Sequence, residues 1–391
     1  MAEVLSFFWL GNLPVYSQAF LFFFVVSKGG LGLSNSRFAP QIGRGILMDM
    51  SETALYRKYR PRSFKEVLGQ SHVVNALSGA LKEGSVGHAY LFYGSRGTGK
   101  TSLARIFARA LGASDTDIHE IDAASYTGVD HIRSLREEVA VMPFSSSKKV
   151  YIVDEVHMLS KSAFNAFLKT LEEPPSHVVF ILATTELEKV PDTIQSRCQV
   201  FTFKKPTAKA IAEMVTRVAK AEGFTLERTS AELIALLAAG SFRDALSTLQ
   251  KILASSADKK VSVEEVETIT GAPKGELVRR VLSGLAKGEA ADALGAVGEA
   301  VLANADMEIF TTLLLDRARL ALLIRYSAHF AEALTADLPD SDKVVVEALA
   351  SDPSSKLNSE TLKKLIEAAV ATPRSPVPHL PLELAIMELC A

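Results

Sequence analysis

The segment Gly94-Ser-Arg-Gly-Thr-Gly-Lys100-Thr101 matches the pattern G-x-x-x-x-G-K-S/T in full. Glycines at this spacing let successive backbone N–H groups turn inward around a polyphosphate at a helix N-terminus. Lys100 then adds a cation for the β- and γ-phosphates, and Thr101 offers a hydroxyl to Mg²⁺. Farther along, Val150-Tyr-Ile-Val-Asp154-Glu155 closes an apolar run with two carboxylates. At the C-terminal tip of a strand in the same sheet, Asp154 can hold Mg²⁺ through water and Glu155 can orient and polarise an attacking water. A run ending in Asp-Glu is also what a solvated strand end looks like, and the phosphate loop is what gives it meaning. His157 suits a packing or hydrogen-bonding role better than a nucleotide sensor.

Leu182-Ala-Thr-Thr185 closes the next apolar run, where the hydroxyl of Thr185, or of neighbouring Thr184, can meet a γ-phosphate or the attacking water. Arg197 follows a helical turn that reaches its own phosphate loop poorly. Its natural target is the nucleotide of a neighbouring subunit, although such an arginine often makes only a surface salt bridge. Arg243, in Gly240-Ser-Phe-Arg243-Asp244, opens a helix that can swing it onto the γ-phosphate.

These groups need elements to hold them. Ala89–Tyr93, Ile118–Asp122, Val150–Val153, Val178–Ala183 and Val200–Phe203 are short apolar β-type runs separated by amphipathic stretches. The pattern predicts a parallel sheet with helices on both faces. After Lys204 strand signals stop and Ala- and Leu-rich helical periodicity takes over, with breakers at Gly271-Ala-Pro-Lys-Gly275 marking a boundary. The expected organisation is an α/β nucleotide-binding domain over 50–204, a small helical domain over 205–270 and a second helical domain over 276–391.

The 391 residues carry 43 Lys+Arg against 45 Asp+Glu, so a nucleic-acid contact must come from a local patch or an assembled surface. Lys148-Lys149 is either such a patch or a solvated turn. Cys198 and Cys390 lack the paired spacing of a disulfide framework or a zinc site, and the chain reads as cytosolic. Residues 7–26 are strongly apolar, but Asn12, Pro14, Ser17 and Gln18 interrupt them and no basic residue precedes them. Residues 1–49 therefore read as a non-native or disordered leader, with Met48 or Met50 as the true start. Gly43-Arg44-Gly45 can be encoded by a purine-rich stretch resembling a ribosome-binding site, and the intact mass of the natural protein tests this.

Tyr56-Arg-Lys-Tyr-Arg60-Pro61, Gly69-Gln70, the phosphate loop, Ile121-Asp-Ala-Ala-Ser125, Asp154-Glu-Val-His157, Asn165 through Pro175, Ala183-Thr-Thr185 and Ser196-Arg-Cys198 together resemble the gamma/tau subunit of the bacterial DNA polymerase III clamp loader. The resemblance runs from about Ser51 to the end, where Ser375 through Leu384 is similar to the tail of that family's third domain. It implies an AAA+ P-loop domain followed by a helical lid and a helical collar that holds a ring together. It also implies ATP and Mg²⁺ as ligands. The nucleotide-site carry-over covers Gly94, Ser95, Arg96, Gly97, Thr98, Gly99, Lys100, Thr101 and Ser102, with Tyr56, Arg57 and Gln70 near the adenine side. Asp154 and Glu155 become the Walker B pair, Thr185 sensor 1, Arg243 sensor 2 and Arg197 the finger.

Implied partners are the sliding clamp, delta and delta-prime subunits, further copies of the chain in a pentameric ring and primer–template DNA held through phosphates, with no membrane. Two departures stand out. Leu111 through Asp117 replaces the family's usual four-cysteine module, so no zinc is expected, and the chain stops where the third domain should, as in a gamma-like form. A non-hydrolysing delta-prime type, a branch-migration helicase and a replication factor C small subunit are the alternatives. The intact Lys100, Thr101, Asp154 and Glu155 argue against the first, and Asn165–Pro175 with Ile121–Ser125 against the other two.

Overall fold

A computed structural model describes residues 54–391, apart from 126–127, 336–337 and 339. The expected leader, the apolar run 7–26 and the alternative starts Met48 and Met50 lie outside the described residues. Among those described, no helix is long and apolar enough to cross a membrane.

Five strands form one parallel sheet: β1 (Ala89–Tyr93), β2 (Ile118–Asp122), β3 (Lys149–Asp154), β4 (Val178–Thr184) and β5 (Gln199–Thr202). Their order is β2-β3-β4-β1-β5. Every residue of β4 is buried, as a strand covered on both faces requires, while the edge strands β2 and β5 carry exposed polar residues that blunt pairing with other chains. In the order in which they follow along the chain, the first helices are α1 (Leu55–Lys58), α2 (Ser71–Glu83), α3 (Lys100–Ala110), α4 (Val129–Ala140), α5 (Lys161–Glu172) and α6 (Asp192–Gln195).

The period-2 alternation of the strands divides the core in two. Tyr90, Phe92, Ile152 and Ile181 pack with Val73 and Leu77 of α2 and Leu103 and Phe107 of α3. Leu91, Tyr151, Phe180 and Leu182 point the other way, against Leu135 of α4 and Phe164 and Phe167 of α5.

Beyond the sheet, α7 (Ala208–Ala221), α8 (Arg228–Leu237), α9 (Phe242–Ser255) and α10 (Val263–Thr270) enclose a separate core that also receives Leu55 of α1. Thr207 and Ser241 cap α7 and α9, and Ser262 with Glu265 forms a capping box on α10. The expectation that strands stop after Lys204 needs correcting: β6 (Thr225–Leu226) and β7 (Lys260–Val261) pair in parallel beside these helices. Two-residue strands show no alternation, and only the packing of α7 to α10 brings them together.

The last part contains α11 (Gly275–Lys287), α12 (Ala290–Leu302), α13 (Met307–Tyr326), α14 (Ala331–Thr335), α15 (Asp340–Ser351), α16 (Ser359–Ala371) and α17 (Leu380–Cys390), packed on a third apolar core around Phe310 and Leu314. In that core Arg317 is buried and bonds Asp342, which also pairs with Arg279.

Candidate functional site

Residues 94–99 link β1 to α3 at the C-terminal edge of the sheet. Gly94 has no room for a side chain, because a Cβ there would lie 2.7 Å from the Phe203 carbonyl oxygen. Helix α3 opens at Lys100, with no acidic residue in its first turn, so its N-terminal amides and partial positive charge are available to an anion. The Lys100 ammonium is buried and donates to the carbonyls of Gly94 and Ser95 at 2.8 and 3.1 Å. Burial lowers its pKa, and the nearby carboxylates of Glu155 and Asp154 oppose that shift. The Ser95 hydroxyl is buried without a hydrogen-bond partner.

β4 lies between β1 and β3, so the tip of β4 separates the phosphate loop from the acidic tip of β3. Thr101 Oγ1 donates to Asp154 Oδ2 at 2.8 Å, which brings the two expected Mg²⁺ ligands together. Glu155 adopts φ 48° and ψ 46°, a left-handed conformation uncommon for a residue with a side chain and characteristic of functional turns. Its backbone N–H donates to Asp154 Oδ1 at 3.0 Å, and its Oε2 accepts from Thr185 Oγ1 at 3.1 Å. Thr184 is fully buried and engaged with His157 and Glu186. Of the two hydroxyls, Thr185 is therefore the one that reaches Glu155.

A cavity of about 360 Å³ opens beside this loop, a size that fits a small ligand. Tyr56, Arg60, residues 96–102, Asp154, Glu155 and Arg243 line it. Arg243 comes from the first turn of α9 and lies 6.0 Å from the Tyr56 ring centroid. Phe242, beside it, donates its backbone N–H to the Gly97 carbonyl at 3.0 Å, so the loop and α9 are joined directly.

Three expected site residues lie elsewhere. Arg57 is exposed, with its guanidinium 5.7 Å from the Tyr56 ring centroid, but is not among the residues lining the cavity. Gln70 is buried and its amide clamps Lys204, donating to its carbonyl at 2.7 Å and accepting from its N–H at 3.1 Å. Arg197 is remote from the cavity, donating to Thr193 O at 2.8 Å and pairing with Glu172. Arg60, four residues beyond Tyr56, was missed by sequence reasoning: its Nε donates to Ser102 Oγ at 3.1 Å and it faces the cavity. A cation directly before a proline carries no spacing signal, and only the fold of the N-terminal segment over α3 brings it in.

Lys149 is buried, donating to Glu138 O at 2.8 Å beside the Tyr151 ring, and Lys148 donates to Ser176 O at 2.8 Å. Between α3 and β2, Asp117 organises the connection. Its carboxylate accepts from the backbone N–H groups of Phe144 and Ser145 and from the hydroxyls of Ser114 and Ser146.

A phosphate loop after β1, an acidic pair at the tip of β3, hydroxyls at the tip of β4 between them and a helical domain bearing Arg243 define an AAA+ P-loop domain followed by helical domains. The chain is 45% identical over 271 residues to the tau subunit of DNA polymerase III from Bacillus subtilis, covering 64% of this chain and 48% of the relative. It is 38% identical over 310 residues to the gamma/tau subunit of Mycobacterium bovis, covering 73% and 54%. Against the tau subunit of Escherichia coli it is 43% identical over 243 residues, covering 57% and 38%.

These relatives show the resemblance to the gamma/tau subunit, and the chain spans about half the length of the curated relatives it matches first. The family described as DNA polymerase III, delta subunit, matches residues 113–207. Among solved structures, the Thermotoga maritima RuvB Holliday junction branch migration motor aligns at TM-score 0.47 and 23% identity, covering 58% of this chain and 79% of that one. The Bacillus subtilis DNA clamp loader delta protein aligns at TM-score 0.35 and 18% identity, covering 81% and 99%.

Proposed function

We propose that this protein is the ATPase motor subunit of a DNA polymerase III clamp loader, coupling ATP binding and hydrolysis to opening a sliding clamp and loading it on primer–template DNA. The observation that carries the reading is the convergence of Lys100, Thr101, Asp154 and Glu155 on one phosphate loop, in a chain similar to gamma/tau subunits. A non-hydrolysing structural subunit has no use for that full set. In this reading the α3 N-terminus, Lys100 and Arg60 receive the phosphates, Tyr56 lies toward the base, and Arg243 closes from the lid. Thr101 and Asp154 fit a magnesium ion, their oxygens already meeting beside the loop. Bound Mg²⁺ supplies polarisation of the phosphate oxygens. Glu155, held by Thr185, orients the attacking water.

Arg197 serves the site of a neighbouring subunit in a ring that also contains delta and delta-prime, after exchanging Glu172 for a phosphate. Residues 50–204 form the ATP-binding domain, 205–270 the lid and 276–391 the collar. DNA is held through its phosphates, so its binding falls steeply with salt. Steady-state ATP hydrolysis tests the reading, measured alone and then with sliding clamp, delta, delta-prime and primed DNA. Stimulation by clamp and DNA, lost in Arg197→Ala with ATP binding retained, supports it. Hydrolysis indifferent to the clamp points to another AAA+ motor.

A further inference from the structure

The ATPase reading gives His157 no task, yet its side chain is only 6% exposed and faces three polar groups. Nδ1 lies 3.0 Å from Thr184 Oγ1 and 3.5 Å from Glu155 Oε2, the second an electrostatic contact more than a hydrogen bond. Nε2 lies 3.2 Å from Glu186 Oε1. Lys189, 2.7 Å from the other Glu186 oxygen, holds that carboxyl below the usual carboxylate range, so Glu186 is ionised and only accepts. Nε2 must then carry a ring hydrogen. Thr184 Oγ1 accepts from the Glu186 N–H at 3.1 Å and donates to the Glu186 carbonyl oxygen at 3.2 Å, and Nδ1 meets this same anchored hydroxyl. The ring is thus fixed at both ends, with its Nδ1 edge against the carboxylate of Glu155.

The same ring reaches the segment that bears Arg197. Glu186 opens the turn Leu187–Lys189, and Gln195 on α6 donates its amide to the carbonyls of Leu187 and Val190 at 3.2 and 2.8 Å. Arg197 follows α6 and bonds back to Thr193. A continuous set of polar contacts therefore runs from Glu155 through His157 and Glu186 to the turn and helix that carry the arginine. Packing alone would be served by an apolar residue, whereas this ring is itself buried, shares the buried Thr184 hydroxyl and presents its polar edges to two part-exposed carboxylates, and a buried imidazole is costly without such partners.

We infer that His157 is a positioning residue: it fixes the Glu155 carboxylate for water activation and ties it to the segment bearing Arg197. This rests on the ATPase reading of the same site. A sub-ångström shift of a catalytic base is costly, so His157→Leu, apolar and of similar size, lowers kcat about tenfold or more. Because the ring does not line the cavity, KM and nucleotide affinity stay within about twofold. His157→Asn, which restores a polar group at the level of Nδ1, recovers a substantial part of the lost kcat.

The test is steady-state hydrolysis by the full chain with the clamp-loader partners and DNA, with melting temperature as the folding control and Glu155→Gln alongside. Full kcat in His157→Leu, or loss of kcat only in step with melting temperature, overturns the inference. Full hydrolysis by Glu155→Gln, or none by the parent, overturns the ATPase reading instead. A readout independent of turnover is nitrogen-15 NMR of the histidine rings. A slowly exchanging Nε2 hydrogen on His157, lost in Glu186→Gln, is expected, and a bare Nε2 overturns the inference whatever the activity.

Discussion

Replacing Gly97 by alanine should uncouple the phosphate loop from the helix that carries Arg243. Gly97 has φ 76°, where an L-residue costs about 1–2 kcal/mol. A Cβ added there would fall 2.9 Å from Ser241 Cβ and still closer to Ser241 Oγ, the atom that caps α9 by accepting from Asp244 N–H at 3.2 Å. Loop and helix must separate, and the Phe242 N–H to Gly97 O bond, about 1 kcal/mol net, is lost with them. The sum of about 2–3 kcal/mol corresponds to about 30- to 150-fold in nucleotide affinity, if binding needs both surfaces. Gly99→Ala is the control: its φ is 99° but nothing lies within 4 Å of the added Cβ, so only the conformational cost applies. Ser241→Gly in the Gly97→Ala background removes the obstructing side chain and should restore part of the loss. Titration with a fluorescent ATP analogue and thermal melting measure both effects. Equal losses in Gly97→Ala and Gly99→Ala, with no rescue by Ser241→Gly, would refute the contact between loop and lid.

Two further outcomes follow from side chains away from the cavity. The Asp117 carboxyl is held well below its usual range by the Ser146 hydroxyl, then by the Phe144 and Ser145 amides, so its contribution to stability is complete above the unfolded-state pKa and is lost as pH falls toward the folded value. Asp117→Asn should therefore lower the denaturant midpoint at neutral pH and flatten its fall at acid pH, and an unchanged acid limb would show that other carboxylates dominate. Burial pushes the Cys198 thiol up to about 12, leaving almost no thiolate at pH 8, so iodoacetamide should label it only after unfolding. Rapid labelling of the folded chain at Cys198 would contradict that burial.

The phosphate loop, the acidic pair and the five strands are legible in the sequence because each is local: a loop of glycines at fixed offsets, an apolar run with its terminal charges, an alternation that matches one element. Their existence needs no knowledge of neighbours. Which strands stand side by side is a tertiary matter, and it is the insertion of β4 between β1 and β3 that sets Thr185 against Glu155 and leaves Thr184 buried behind it. Strands β6 and β7 escaped notice because two residues hold no pattern. Arg60, which carries no spacing signal, enters the cavity, while Gln70, an expected site residue, turns away from it to clamp Lys204. Side-chain direction depends on which surface packs beneath the segment, and that surface comes from residues far away in sequence. For the same reason His157, whose hydrogen-bonding role is legible in the linear chain, gains its particular partners only when β3 and β4 lie side by side. Sequence alone determines which chemical groups are present and which elements carry them, because propensity and periodicity act over a few residues. The tertiary structure decides which of those groups meet, because hydrogen bonds and ion pairs act over a few ångströms between segments that the chain holds dozens of residues apart.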